Sequence, residues 1–256
     1  MATSHPAVTL TALSGIPAVE SGDDIAIILG DALVAGALLP RDKDVLAVTH
    51  KIISKAQGRY RKLADVTPSA RARELAAATG KDAALVEIIL SESRQVVRSR
   101  SELIISEHRS GVVMANAGVD QSNVPGESGR VLLLPEDADA SSAALRAALG
   151  ARFGIDMAVV VCDSVGRAWR NGVVGLALGA AGLPALQDLR GKTDLEGRDL
   201  KVTQVALADE IASAAELLMG EADEGLPAVL VRGLTWREAP LPAAALIRDP
   251  QQDLFR

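Results

Sequence analysis

The stretch "AVVVCDSVGRAWRNG" runs from Ala158 to Gly172. Five apolar residues lead directly into Asp163 and Ser164, and Arg167, Trp169 and Arg170 follow. A short unbroken apolar run reads as a strand buried on both faces. That strand is expected to end at Asp163, which would set a carboxylate and a hydroxyl at the edge of the core, where α/β sheets meet their ligands. Both groups are hard oxygen donors suited to Mg²⁺ or Mn²⁺. A second reading fits equally: Asp163 caps the next turn and pairs with Arg167 or Arg170.

Outward from this stretch, strand and helix signals alternate. Residues 44–50, 129–135, 156–162 and 226–233 read as strands, and 101–106 with 110–116 as a hairpin. Helices are expected over 24–38, capped within Ser21 to Asp24, and over 82–93, 139–154 and 205–222. Another is expected over 67–80, with Thr67 as its cap, Pro68 in its first turn and Gly80 at its end. The glycines at 172, 175, 179 and 182 do not fit a dinucleotide fingerprint and read as close backbone packing. The fold class is α/β (mixed α+β), without the even alternation of a simple doubly wound sheet.

Composition removes several function classes. Aromatic residues make up 2% of the 256, so a base-stacking surface is not expected. The net charge of -6 disfavours nucleic acid as a partner. Cys162 is the only cysteine, so no internal disulfide can form. No apolar run reaches the roughly 20 residues of a membrane span, and "MATSHPAVTL" lacks the features of a signal peptide. A soluble, cytoplasmic protein with no membrane partner is expected. There is no G-x-x-x-x-G-K-[ST] loop and no G-x-S-x-G elbow, and His5, His50 and His108 lack metal-ligand spacing.

Three further clusters carry chemistry. "NAGVDQSN" supplies Asp120 and Asn123 after an apolar strand, either as donors to a shared cation or as an Asx-turn loop. In "THKIISKAQGR", Lys51 and Lys55 share one side, as phosphate ligands or as solvated lysines. Thr203 and Gln204 precede a long helix whose start bears Asp209 and Glu210, either as an anion or metal site or as a solvated acidic start. Acids, amides, lysines and arginines near several strand ends form an inventory for metal-dependent chemistry on a phosphorylated ligand.

The motifs "SGIPAVESGDD", "THKIISKAQGR", "NAGVDQSNV", "CDSVGRAWRNG", "GAAGLPAL", "VTQVALADEIASAAELLMGE" and "VRG", in this order, resemble the GTP-dependent γ-glutamyl ligases of the deazaflavin coenzyme F420 pathway. The resemblance spans about residues 8 to 256. It implies a ligase that adds L-glutamate to the coenzyme F420 precursor through an acyl phosphate, releasing GDP and phosphate. It further implies two Mg²⁺ or Mn²⁺ ions per subunit, K⁺ as a helper ion, an unusual non-P-loop fold and an intertwined homodimer. By motif match, Asp120, Asp163, Ser164 and Gln204 fall on the metals. Ile16, Pro17, Ala18, Val19, His50, Lys51, Lys55 and Asn123 fall on GTP, as do Val202, Thr203, Gln204, Val205, Ala206, Leu207, Ala208 and Asp209. Asp163 and Lys55 are then the catalytic candidates, with Arg167 and Arg170 holding an anionic group or forming structural ion pairs. Ser164 stands where Thr is frequent, and His50 where Ser or Thr is. One domain over 1–256 is expected, without the flavin-binding reductase-like domain of some relatives. A metal-dependent phosphohydrolase, a non-catalytic GTP-binding module, and a ligase for a different acid acceptor are the alternatives.

Overall fold

A computed structural model of the chain describes residues 5–122 and 129–254. In chain order its strands are β1 (Thr9–Ala12), β2 (Val45–Thr49), β3 (Tyr60–Lys62), β4 (Ser93–Arg100), β5 (Leu103–His108), β6 (Val113–Ala115), β7 (Arg130–Leu132), β8 (Ala158–Arg167), β9 (Arg170–Ala181), β10 (Gln187–Asp188), β11 (Gln204–Val205) and β12 (Ala228–Arg232). The helices are α1 (Ile25–Ala35), α2 (His50–Ala56), α3 (Ala70–Thr79), α4 (Ala83–Glu92), α5 (Ala138–Phe153) and α6 (Leu207–Met219). The mixed α/β class is as expected from the sequence.

The main sheet has the order β1-β12-β2-β8-β9, in which only β2 and β8 run parallel. Its two faces explain the apolar run. Ala158, Val160 and Cys162 pack with Ile211, Ala212 and Ala215 of α6. Val159 and Val161 pack with Leu29 and Leu33 of α1 and Leu145 and Leu149 of α5. With both faces covered, no position of this run needs a polar residue. A second core lies between α3, α4 and the β4-β5-β6 sheet, around Val86, Ile89 and Ile104.

Strand β8 does not stop at Asp163; it runs on to Arg167. The expected end comes from its neighbour instead. β2 pairs with β8 only as far as Thr49 opposite Cys162, and then turns into α2. Beyond Cys162, β8 continues on hydrogen bonds to β9 alone. The sequence pattern marks where one neighbour is lost, which is where polar residues become tolerable, and not where the strand ends.

Helix starts follow side-chain capping. The Asp24 carboxylate accepts from the Ala26 and Ile27 amides, and Asp82 accepts from Leu85 N at 2.9 Å. Helix α3 begins later than its sequence suggests: Ser69, not Thr67, is the cap, its Oγ accepting from Ala72 N at 3.1 Å. The Ser69 amide donates to Glu87 Oε2 at 2.8 Å, which holds the cap residue extended and leaves Pro68 outside the first turn. Gly80 ends this helix with φ of 73°.

The glycine spacing in β9 reflects close packing. A Cβ on Gly175 would overlap the Ala212 backbone of α6, and one on Gly179 the Ala138 carbonyl at the start of α5. The two glycines therefore let helices approach opposite faces of one strand. Gly179→Ala is expected to lower stability by about 1–3 kcal/mol, the usual cost of overpacking against unyielding backbone. A urea unfolding midpoint equal to that of the unsubstituted protein would contradict this account.

Candidate active site

The loss of β2 as a neighbour opens a notch beside Asp163, and α2 fills one side of it. The Thr49 hydroxyl caps α2 from the last residue of β2. His50 is then fully buried, with Nδ1 at 3.2 Å from Ser54 Oγ and Nε2 at 3.4 Å from Asp163 Oδ1. Asp163 therefore pairs with neither Arg167 nor Arg170. At the next residue of α2, Lys51 Nζ lies 2.8 Å from Asp120 Oδ2 and donates to Ser122 Oγ at 3.0 Å. Ser122 in turn donates to Asp120 through its amide at 2.7 Å and its hydroxyl at 2.9 Å.

A cavity of about 460 Å³ opens on this notch. It brings together Ile16, Pro17, Ala18, Val19, Lys51, Lys55, Asp163 and Ser164. His50 sits behind its wall, and Asp120 is tied to it through Lys51. The segment Val202 to Asp209 is not among its lining residues. Gln204 is instead exposed on β11, opposite Asp188 of β10. Asp209 spends a carboxylate oxygen on the Ala177 amide at 2.9 Å. Leu207 to Asp209 open α6, while the cavity meets the opposite end of that helix. Arg167 and Arg170 face each other across the exposed β8–β9 tip, outside the cavity, and Arg167 donates to Gly172 O at 3.2 Å. Asn123 lies outside the described residues.

The wall missed by sequence reading is the end of α6 and the turn after it. Glu216, Met219, Gly220, Glu221, Ala222, Asp223, Glu224, Gly225 and Leu226 all line the cavity. A helix C-terminus carries partial negative charge, and these acids add to it. Gly220 ends the helix with φ of 71°, and a Cβ there would overlap the Glu224 carboxylate. The available signal was the acid- and glycine-rich turn "GEADEG" directly after a strongly amphipathic helix.

The charges of this cavity are unbalanced. Among the described residues, Asp163, Glu216, Glu221, Asp223 and Glu224 line it with two ammonium groups, those of Lys51 and Lys55. Burial, then the neighbouring Glu221 carboxylate and Asp163, push the Glu216 carboxyl up to about 8, against a partial offset from Lys51. Burial and then Lys51 lower Lys55 from the usual ammonium value, with Asp120 opposing. Burial raises the Asp120 carboxyl, but hydrogen bonds from Lys51 and Ser122 outweigh it and hold it below the ordinary carboxylate range. A hydrogen-bonded carboxyl pair, a further aspartate and a hydroxyl are the donor set of a hard divalent cation. Among the described residues, no three His, Cys, Asp or Glu side chains form a ready-made metal cluster.

Comparison with known proteins places the chain in a family. Residues 15–233 match the sequence profile of the family described as F420-0:Gamma-glutamyl ligase. The chain is 49% identical to the coenzyme F420:L-glutamate ligase of Methanopyrus kandleri over 93% of each chain. It is 42% identical to the coenzyme F420:L-glutamate ligase of Methanothermobacter thermautotrophicus, over 97% of this chain and 99% of that one. The protein of the same name from Archaeoglobus fulgidus is 44% identical over 87% and 86%. No helix among the described residues is long and apolar enough to cross a membrane.

The raised Glu216 carboxyl gives a signed pH prediction. Its folded value of about 8 exceeds its ordinary 4.5, so the folded state holds a proton that unfolding releases between those two values. Stability of the metal-free protein therefore falls as pH rises through this window. Glu216→Gln removes the titration, so its Tm should gain on the unsubstituted protein progressively from pH 5 to pH 8. A difference in Tm that stays flat with pH would contradict the assignment.

Proposed function

Because the chain belongs to the F420-0:Gamma-glutamyl ligase family and is a ligase, we propose that it joins L-glutamate to the coenzyme F420 precursor at the expense of GTP. The observation that carries the reading is the cavity with five carboxylates and two lysines. Such a wall repels a bare triphosphate and accepts one only when cations intervene. Asp163 and Ser164, with Asp120, Glu216 and Glu221 as further carboxylates, would hold Mg²⁺ or Mn²⁺. Those ions, when bound, neutralise phosphate charge.

The protein's own groups then have distinct tasks. Lys51 and Lys55 emerge from one face of α2 and meet phosphate oxygens, with Lys51 held in place by Asp120 and Ser122. Ile16 to Val19 supply an apolar lip for the nucleoside. A carboxylate oxygen of the precursor attacks the γ-phosphorus, and the bond to GDP breaks, leaving an acyl phosphate. The glutamate amine attacks the acyl carbon, loses a proton and expels phosphate. Coupling is required because an amide does not form spontaneously from a carboxylate and an ammonium ion at neutral pH. A homodimer fits the exposed β8–β9 tip, where Trp169 is 81% and Val173 48% accessible.

The test is mass spectrometry of the precursor after incubation with GTP, L-glutamate and Mn²⁺, omitting each in turn. Added glutamyl units only in the complete mixture are expected. Phosphate release that does not need glutamate would overturn the reading in favour of a phosphohydrolase. Asp163→Ala should lower ligation at least about 100-fold while leaving the far-ultraviolet spectrum unchanged. Lys55→Met should weaken GTP binding about tenfold, or about 1.4 kcal/mol, by calorimetry. Unchanged affinity would remove Lys55 from the nucleotide site.

A further inference from the structure

A second and larger cavity, of about 630 Å³, lies beyond the other end of α2. Lys55 lines the first cavity and Arg59 the second. The two residues are four apart, so their Cα atoms are within about 14 Å of each other. A buried polar seam joins the two sites. Asp163 meets His50, His50 meets Ser54, and the Ser54 carbonyl accepts from the Arg59 amide at 2.9 Å. The Arg59 guanidinium then donates to Leu134 O at 2.9 Å and to Glu92 Oε2 at 3.0 Å.

This second cavity is built for a ligand with a flat or apolar body and acidic groups. One wall is apolar: Leu134, Pro135, Ala138, Leu178 and Ala244. The other carries Arg59, Arg61, Arg109 and His108. Glu92 is the buried counter-charge, and a single oxygen of it serves Arg59 at 3.0 Å, Arg109 at 2.7 Å and His108 at 3.6 Å. The lining sets the Arg59, Arg61 and Arg109 guanidinium groups against three carboxylates: Glu92 is buried, Glu136 stands 3.5 Å from Arg59 and largely in water, and Asp137 accepts from the Ala140 amide at the start of α5. His108 is 4% exposed, and its Nε2 lies 3.6 Å from the same Glu92 oxygen. Its Nδ1 accepts from the Ser110 amide at 3.0 Å, so in the neutral ring the proton sits on Nε2. That N–H faces the buried Glu92 carboxylate.

We infer that this cavity seats the body of the acid acceptor, the deazaflavin precursor, while its reacting carboxylate reaches the first cavity. The inference rests on the ligase reading. A ring system stacks on guanidinium planes and apolar wall together, and 630 Å³ lies in the range of cavities that enclose drug-sized molecules. A single amino acid would leave most of that space to water. The short reach from Arg59 to Lys55 is the length over which the acceptor must extend.

The test uses two variants that spare the buried ion cluster of Glu92, Arg59, Arg109 and His108. Arg61→Gln removes an exposed guanidinium group outside that cluster, and Ala244→Trp fills the cavity from an exposed position without changing its charge. Steady-state KM is measured for precursor, L-glutamate and GTP, alongside calorimetric titration with precursor alone. Both variants should raise KM and Kd for the precursor about tenfold, with the other two KM values within twofold. Unchanged precursor constants in both variants would overturn the inference and leave the ligase reading intact. A shift confined to the KM of L-glutamate would overturn it in favour of an amino-acid pocket. If the unsubstituted protein neither binds nor extends the precursor, the ligase reading itself fails, and this inference with it.

Discussion

The parallel pairing of β2 with β8 is the constraint from which the site follows. Both strands are buried on both faces, so every backbone group in them must find a partner inside the sheet. β2 meets that requirement only up to Thr49, whose hydroxyl then caps α2. β8 meets it further because β9 accompanies it to Arg167. The mismatch in length leaves Asp163 and Ser164 with a strand on one side and a helix start on the other. Ligands commonly bind where parallel strands end in an α/β sheet, and among the described residues one such strand pair provides the place.

Helix α2 turns that notch into a site with two sides. Its first residue, His50, is buried against Asp163, and its lysines point to the cavity. Past its last residue, the chain bonds back from Arg59 to the Ser54 carbonyl and enters the ion cluster around Glu92. Buried ionic groups tolerate little displacement, because a charge left unpaired costs several kcal/mol. The cluster thus holds one end of α2 as firmly as the sheet holds the other. Across the cavity, the end of α6 contributes acids to an already acidic place. Crowding like charges is unfavourable, and it shows in the raised Glu216 carboxyl.

Much of this was legible from local pattern. The apolar run of 158–162, the capping aspartate before α1, the amphipathic text of α6 and the glycines of β9 each carry their cause within a few residues. The pairing of Lys51 with Lys55 on one side of a helix follows from spacing alone. The residues Ile16 to Val19, Lys51, Lys55, Asp163 and Ser164 share one cavity as their motifs suggested. Other readings were one step off. Thr67 was the plausible cap until Glu87, from the next helix, fixed Ser69 instead. Gln204 precedes α6, and it is the far end of that helix that reaches the cavity.

What the sequence by itself determined is the set of elements, the buried faces and the family, because these depend on short-range periodicity and on motifs read in order. What only the tertiary structure decided is which end of each element meets which. That β8 outlasts β2, that Glu216 and Glu221 join Asp163 across about fifty residues of chain, and that Arg59 opens on a second cavity all depend on packing between distant segments. Side-chain type and spacing record what a segment can bury, and they do not record which partner does the burying.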